Sequence, residues 1–576
     1  MNAGLPGLEL DRVIQWRRPC RPRILVVTDS ALNFRPDQAF GLWRFLHGIT
    51  LAAGVTNKPI LTLGHRGTHV ASVTIGTDTY TVDDNFNFAT ASPGVATANY
   101  DQIWMFGFAS GGALSNAEVG VISEFMNGGG GVFATGDHGA IGQQMCGSLP
   151  RIRHMREWAN IPMGTENDVN VAVNRIDTVV NPGSNTLYEF EDQSDDVPQR
   201  IYPNYKVTAA SATQWQASVH RLLMLPGAPA TRTEAGGASG FTQDIDVLPD
   251  HPHESVCYEV IAAATLGGTY SLGGQNFEEF RPSAATPALR IGAEIVAYAV
   301  SGGRSVLLNV WKPPVKPRMF GVISAYDGRQ AQAYPSKTQR PGRVVCDSTW
   351  HHYVNINLDG VGTLRSALGT WSGGMPLSGT FTTSAALDKI YAYYRNIVSW
   401  LQPANRVWCN LWWDLVDVRV NPAVFEELLE VPKFERWRDF VGLGREAAQL
   451  IGLANGAAAE RDLIDGILLA DRRTEALGNL LDGGGLQQTD IDRDELRHGI
   501  LGGMLAKVAA LLPDDDPKAA ANVLEAGPER HAKDLTAEAV RMVGLAIDER
   551  AKRAERTLAV LKEIAGALSK NGRGKA

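Results

Sequence analysis

LSNAEVGVISEFMNGGGGVFATGDHG, residues 114–139, carries the start, stop and turn signals of an α/β unit in one run. Ser115, with Glu118 three residues on, forms a capping box, in which each side chain takes up a backbone N–H left open at a helix start. The helix this predicts ends in Gly128–Gly131, where four residues without side chains close one element and open the next. GVFATGDHGAIG (131–142) then reads as a strand running into a glycine-rich turn. Upstream, RILVVTDS (23–30), PILTLGHR (59–66) and YDQIWMFGF (100–108) also read as strands. RILVVTDS is an apolar, β-branched run ending in polar residues, the mark of a buried parallel strand that opens into a loop. AFGLWRFLHGITLAAG (39–54) lies between the first two, with helical spacing and a closing glycine. Strands alternating with helices predict an α/β fold built on a doubly wound, mainly parallel, flavodoxin-like sheet. Ligands of such sheets bind beyond the carboxyl ends of the strands.

Further along, SVLLNVW (305–311), FGVISAY (320–326) and GRVVCDSTW (342–350) are strand candidates, and KIYAYYRNIVSWL (389–401) reads as the helix that closes the domain. Residues of about 143–240 are less regular and read as an insertion between sheet elements. After about residue 420, Ala, Leu, Glu, Asp and Arg dominate. Helical periodicity returns in 445–470, 495–512 and 536–568. The expected organisation is an N-terminal extension (1–21), an α/β domain (22–415), an all-α helical domain (420–568) and a disordered tail (569–576).

Apolar residues make up 44% of the chain and charged residues 20%, and the formal net charge is −8. That balance offers no general attraction to nucleic acid or to an anionic membrane, so neither is expected as a partner. No apolar run approaches the ~20 residues that span a bilayer. The cluster of Arg151, Arg153, His154 and Arg156 reads as a solvated helix face. The five cysteines are widely spaced, with no CxxC pair, so neither a zinc ribbon nor a disulfide framework is expected. The opening MNAGLPGLELDRVIQWRRPCRPR has no apolar core of a secretory signal, and a cytoplasmic location is expected.

The order YDQIWMFG, LSNAEVGVISEFMNGGGGVFATGDHG and, later, DHPHE (250–254) and GRVVCDSTWHH (342–352) resembles the class I glutamine amidotransferase-like superfamily, and within it the trehalose-utilisation-like branch. The resemblance covers roughly residues 22–400. It implies a cysteine nucleophile on the turn after the glycine-run strand, with a later histidine and an acid two residues beyond it. This chain departs from that pattern. Asp137 stands at the nucleophile position, His351 or His352 at the histidine, and Tyr353 or Val354 at the acid. Cys146 lies past the turn and out of register. Thioester chemistry needs an activated thiolate, so a cysteine-dependent glutaminase is not expected.

What remains is a set of imidazoles and carboxylates at strand ends. Asp29, Asp137, His138 and His351 are the candidate catalytic residues, because a histidine titrates near neutral pH beside a carboxylate base. Asn33, Gly136, Gly139 and Asp347 are the candidate substrate-binding residues. His138, His351, His352 and His253 are candidate ligands of a divalent metal such as zinc, iron or manganese. Asp137 could equally cap a following helix, and neighbouring His351 and His352 cannot share a face on a strand. No Walker or dinucleotide loop follows a strand, so no nucleotide cofactor is expected. Two functions stay open: a hydrolase or isomerase acting on a small polar, carbohydrate-like ligand, and a catalytically silent scaffold or ligand sensor. In both, the C-terminal helices would serve a homo-oligomer or a protein partner.

Overall fold

The computed structural model of the chain describes residues 20–51, 58–137, 139–159, 179–181, 186–187, 198–210, 214–226, 228, 231–235, 244–249, 255–284, 286–301, 318–361, 368–374, 379–421, 424, 436–455, 464, 493–512, 517–526 and 528–571. The SVLLNVW segment, the DHPHE segment, His138 and His253 lie outside these residues.

Residues Arg21–Arg406 form one compact unit. Its strands are β1 (Arg23–Thr28), β2 (Ile60–His65), β3 (Ser72–Ile75), β4 (Asp78–Asp83), β5 (Gln102–Phe106), β6 (Gly131–Thr135), β7 (Tyr202–Pro203), β8 (Ala293–Ser301), β9 (Arg318–Tyr326) and β10 (Val344–Asp347). They make one ten-stranded sheet in the order β7-β8-β9-β10-β6-β5-β1-β2-β4-β3. Strands β10, β6, β5, β1, β2 and β4 run parallel. β7, β8, β9 and β3 are added antiparallel at the two edges. The expected α/β class with a mainly parallel sheet is what the chain builds. FGVISAY lies in β9, and pairs antiparallel with both its neighbours.

Alternation along β1 explains the layering. Ile24 and Val26 point to one face and Leu25 and Val27 to the other, and all four are fully buried. The first face is covered by α1 (Trp43–Thr50) and α3 (Ala385–Trp400), whose Phe45, Tyr391 and Tyr394 join Trp104, Phe106 and Phe133. The second face is covered by α2 (Asn116–Asn127), through Val119, Ile122, Phe125 and Met126. The capping box forms as expected: Ser115 accepts from the Glu118 N–H, and Glu118 reaches back to the Ser115 N–H at 3.1 Å. The glycine run is required as well. Gly129 has φ +99°, and a Cβ on Gly131 would lie 2.1 Å from the Leu401 carbonyl oxygen.

The segment read as an insertion, where described, holds two one-turn helices (Gln143–Cys146 and Ile152–Met155) and strands Lys206–Ala210, Gln214–Ser218 and Thr231–Ala235 in a small sheet of their own. β7 returns from it to the edge of the main sheet.

The second unit contains Cys20, the helices α4 (Val407–Val420), α6 (Arg493–Leu511), α7 (Pro517–Ala526) and α8 (Pro528–Asn571), and α5 (Trp437–Asn455) as far as Ile451. Leu411, Trp412 and Leu415 of α4, Ile500, Met504 and Val508 of α6, and Leu535, Ala539 and Met542 of α8 are buried in it. A Cβ on Gly444 would lie 1.7 Å from the His498 carbonyl oxygen, so α5 and α6 touch backbone to backbone. One expectation is corrected here. No disulfide framework was expected, yet Cys20 and Cys409 form a disulfide with Cα atoms 5.7 Å apart. Sequence separation hid it, because the partners are 389 positions apart and only the fold brings them together. Helix α8 ends at Asn571.

Two histidines of the α/β unit are held neutral by burial. His220 caps the turn Arg221–Leu223, its Nδ1 accepting from the Leu222 N–H at 3.2 Å, and its ring meets Trp400 edge-on at 5.3 Å. His47 lies on α1 beside Arg44. Burial lowers both to about 4. The unfolded chain takes up these protons near pH 6.5 and the folded chain does not, so stability is full above that pH and is lost between pH 6.5 and 4. Each site contributes up to about 3 kcal/mol to the loss. Melting temperature followed from pH 7 to 4 should fall, and the fall should be shallower in His47→Gln and His220→Gln.

Candidate functional site

The loops leaving β1, β5, β6 and β10 at their carboxyl ends hold the polar residues. Thr135 and Asp347 are register partners on β6 and β10, so the residues that follow leave the sheet side by side. Thr349 Oγ1 donates to Asp137 Oδ1 at 2.9 Å. Thr349 also starts the 3₁₀ turn Trp350–Tyr353, its hydroxyl accepting from the His351 N–H at 3.1 Å. That turn brings His351 Nε2 to 3.8 Å from Asp137 Oδ2. On its other side, His351 Nδ1 lies 2.9 Å from Asn357 Oδ1. An amide oxygen only accepts, so this contact assigns the proton of the neutral ring to Nδ1 and leaves the Nε2 lone pair on the Asp137 side. The ring stacks on Trp350 at 3.9 Å and meets Phe40 edge-on at 5.9 Å, which restrains its tilt.

His352 turns the opposite way. It is fully buried, with Nδ1 2.7 Å from Asp347 Oδ1, and its carbonyl accepts from the Tyr394 hydroxyl. The two imidazoles diverge because they sit on a 3₁₀ turn, rather than because a strand alternates. Asp347 also accepts from the Thr349 N–H (3.3 Å) and from the hydroxyls of Tyr353 (2.7 Å) and Tyr393 (3.0 Å). Asp347, expected at a ligand, instead anchors the turn from inside the core. Burial, reinforced by this carboxylate, keeps both phenols protonated.

Asp29 stands where the chain order reverses, between β1 and β5. Its Oδ1 accepts from the N–H groups of Phe108 (2.5 Å) and Ala109 (3.2 Å). Its buried Oδ2 has no hydrogen-bond partner among the described residues. Burial pushes its pKa up, against a downward pull from those N–H groups, Arg66 and His65. The Phe108 ring lies 5.5 Å from Trp350 and 6.2 Å from Phe40, so one aromatic group connects the Asp29 and His351 loops.

Other expected residues have local duties. Asn33 accepts from the Arg35 N–H and donates to the Ala31 carbonyl, both at 3.0 Å, and so builds its own turn. A Cβ on Gly136 would lie 2.3 Å from the Ile141 carbonyl oxygen, and Gly139 has φ +58°. Both shape the turn that carries Asp137. Cys146 is buried and its thiol is pushed far up by burial, so it is no nucleophile.

Sequence reasoning missed His65 and Arg66, which close β2 beside Asp29. His65 Nδ1 accepts from the Gly67 N–H at 3.0 Å, and Arg66 pairs with Glu118 at 2.5 Å. The polar ending of PILTLGHR was the available signal. Thr349 and Asn357 were missed too, and nothing local marks Asn357.

The arginine cluster is a correction. Arg151 and Arg156 are buried, and only Arg153 and His154 keep some exposure. Arg151 donates to Asn127, Tyr334 and the Glu279 carbonyl. Arg156 donates to the carbonyls of Asp137 (2.6 Å), Ser348 (2.9 Å), Asp347 (3.1 Å) and Glu157 (2.9 Å), with Trp158 4.3 Å from its guanidinium. Five fixed donors on a planar head suit several carbonyls at once. Helical spacing cannot reveal this, because the carbonyls come from strand ends distant in sequence.

A metal site is less well supplied. His352 spends its Nδ1 on Asp347, and His138 and His253 lie outside the described residues. Among the described residues no group of three or more His, Cys, Asp or Glu side chains could hold a metal ion. The pair Asp137 and His351 falls short of a donor set for zinc, iron or manganese.

Arg156→Met should leave the strand-end carbonyls without their donor and destabilise the α/β unit by about 3–5 kcal/mol. Urea unfolding measures this, and Arg156→Lys should recover only a small part of the loss. No family model, no curated protein and no solved structure matches the chain.

Proposed function

We propose that the carboxyl edge of the sheet is an acid–base site, with Asp137 and His351 as the reacting pair of a hydrolase or isomerase. The observation that carries this is the His351 imidazole, held 3.8 Å from Asp137 Oδ2 while Asn357 fixes the opposite ring nitrogen. Neutral His351 takes a proton at Nε2 from a ligand hydroxyl or water, and the imidazolium that results is stabilised by the Asp137 carboxylate. Thr349 keeps that carboxylate facing the ring. Asp29, with one oxygen tied to backbone and the other buried, offers an acceptor for a ligand hydroxyl at the reversal point between β1 and β5.

The strand order β2-β1-β5-β6-β10 supports a flavodoxin-like core, and with it the resemblance to the glutamine amidotransferase-like superfamily. A small polar, carbohydrate-like ligand follows from that resemblance. Asp137 replaces the family thiol and keeps an ordinary backbone, since among the described residues the non-glycine positions with positive φ are Ser30, Asn85 and Arg151. A role as base or electrostatic partner therefore fits it better than a strained nucleophile.

Purified protein is to be screened against sugars and polyols by thermal shift, and any binder followed by NMR for turnover. Asp137→Asn and His351→Gln should each cut turnover by about 10²–10⁴-fold, with the melting temperature little changed. The pH profile of kcat/KM should lose one limb in His351→Gln. A ligand that binds the wild type and both variants equally, without turnover, would instead favour the silent sensor.

A further inference from the structure

Helix α8 is 44 residues long, and its two halves differ. In the first half, His531, Leu535, Ala539, Met542 and Ala546 are buried against the rest of the helical unit. Continued at the same spacing, that stripe meets Arg550, Arg553 and Thr557, which are polar. At the first of these positions the contact is polar too, a half-buried Arg550–Glu495 ion pair at 2.8 Å. From Ala551 to Glu563 every residue is exposed. An unsupported helix of this length is marginal in water.

A second apolar stripe begins one residue round the helix. Ile547, Ala551, Ala554, Leu558 and Leu561 alternate spacings of four and three, and Ala565 and Leu568 continue the same register in the sequence. That is the 3.5-residue repeat of a coiled-coil seam. Ile547, Leu558 and Leu561 are more than half exposed.

We propose that this seam pairs with a second copy of the chain, antiparallel, to form a two-helix arm that makes the protein a dimer. The register with Leu558 opposite Leu561 of the second copy sets Ala551 opposite Leu568 and Ala554 opposite Ala565. Leucines then meet at the centre, alanine meets alanine in the two layers flanking it, and a leucine meets an alanine at each end. The flanking charges match. Glu555 faces Lys562 of the second copy, twice by symmetry, and Arg550 keeps its own Glu495. A parallel pair would stack alanine on alanine in three layers instead of two. It would also need Arg550 to leave Glu495 to meet Glu555.

Sedimentation velocity of the full chain across micromolar concentrations tests this. The wild type should be a dimer, and Leu558→Asp should weaken the dimer by at least about 100-fold. Circular dichroism melting of the rest should stay unchanged, because Leu558 touches no core. Glu555→Lys should weaken the dimer, and adding Lys562→Glu to it should restore wild-type association. A monomeric wild type overturns the proposal, and so does a double charge swap that fails to restore the dimer. A monomer that binds phosphatidylserine vesicles through Leu558 overturns it as well, and makes a lipid surface the occupant.

Discussion

The carboxylate of Asp347, fully buried at the end of β10, is the fixed point around which the upper edge of the sheet is arranged. A buried charge is tolerated only when its lone pairs are met, and four donors meet these: His352, the Thr349 N–H, Tyr353 and Tyr393. Three of the four come from the turn that follows β10, so satisfying the charge dictates the path of that turn. His351 occupies the remaining direction and comes out against Asp137. The backbone on the other side of the same junction is held by Arg156, whose cation is lowered in pKa by burial and offset by carbonyl dipoles and nearby acids. One buried anion and one buried cation thus lock two adjacent strand ends, and the pair proposed to do chemistry inherits its geometry from them.

The two other buried carboxylates at this edge are treated differently. Asp137 is paired with a hydroxyl and faces an imidazole. Asp29 is tied to two N–H groups at a point where parallel strands diverge, with a raised pKa because burial outweighs those donors. Carboxyl groups whose environments differ in this way can take different parts in one reaction. The aromatic group of Phe40, Phe108 and Trp350 lies between them, and gives the edge an apolar wall beside its polar groups.

The helical unit follows another logic. Its core is closed by close helix packing at Gly444 and Gly502 and by the Cys20–Cys409 disulfide, which ties the segment before β1 to the helix that follows the α/β unit. A crosslink over so long a loop acts chiefly by restricting the unfolded chain. α8 then extends past this core with a polar continuation of its buried face and an apolar stripe elsewhere, a division that intrachain packing does not need.

Much of the fold was legible locally. The Ser115–Glu118 capping box, the glycine run and the apolar strands β1, β2, β5 and β6 state their own conformations, because caps, φ restrictions and two-sided burial are short-range constraints. Residues placed at strand ends, Asp29, Asp137, His351 and Asp347, could be listed for the same reason. Their duties could not. Asp347 and His352 face inward and Asn357 orients an imidazole through partners five or six residues away that only the path of the turn brings round, while Arg156 is a buried clamp and Cys20 reaches Cys409 through partners distant in the chain. Sequence alone determined which elements form and which chemical groups end up at one edge of the sheet. Tertiary structure decided which of those groups meet each other and which are consumed by the core, because hydrogen-bond satisfaction of buried charges depends on neighbours that only folding supplies.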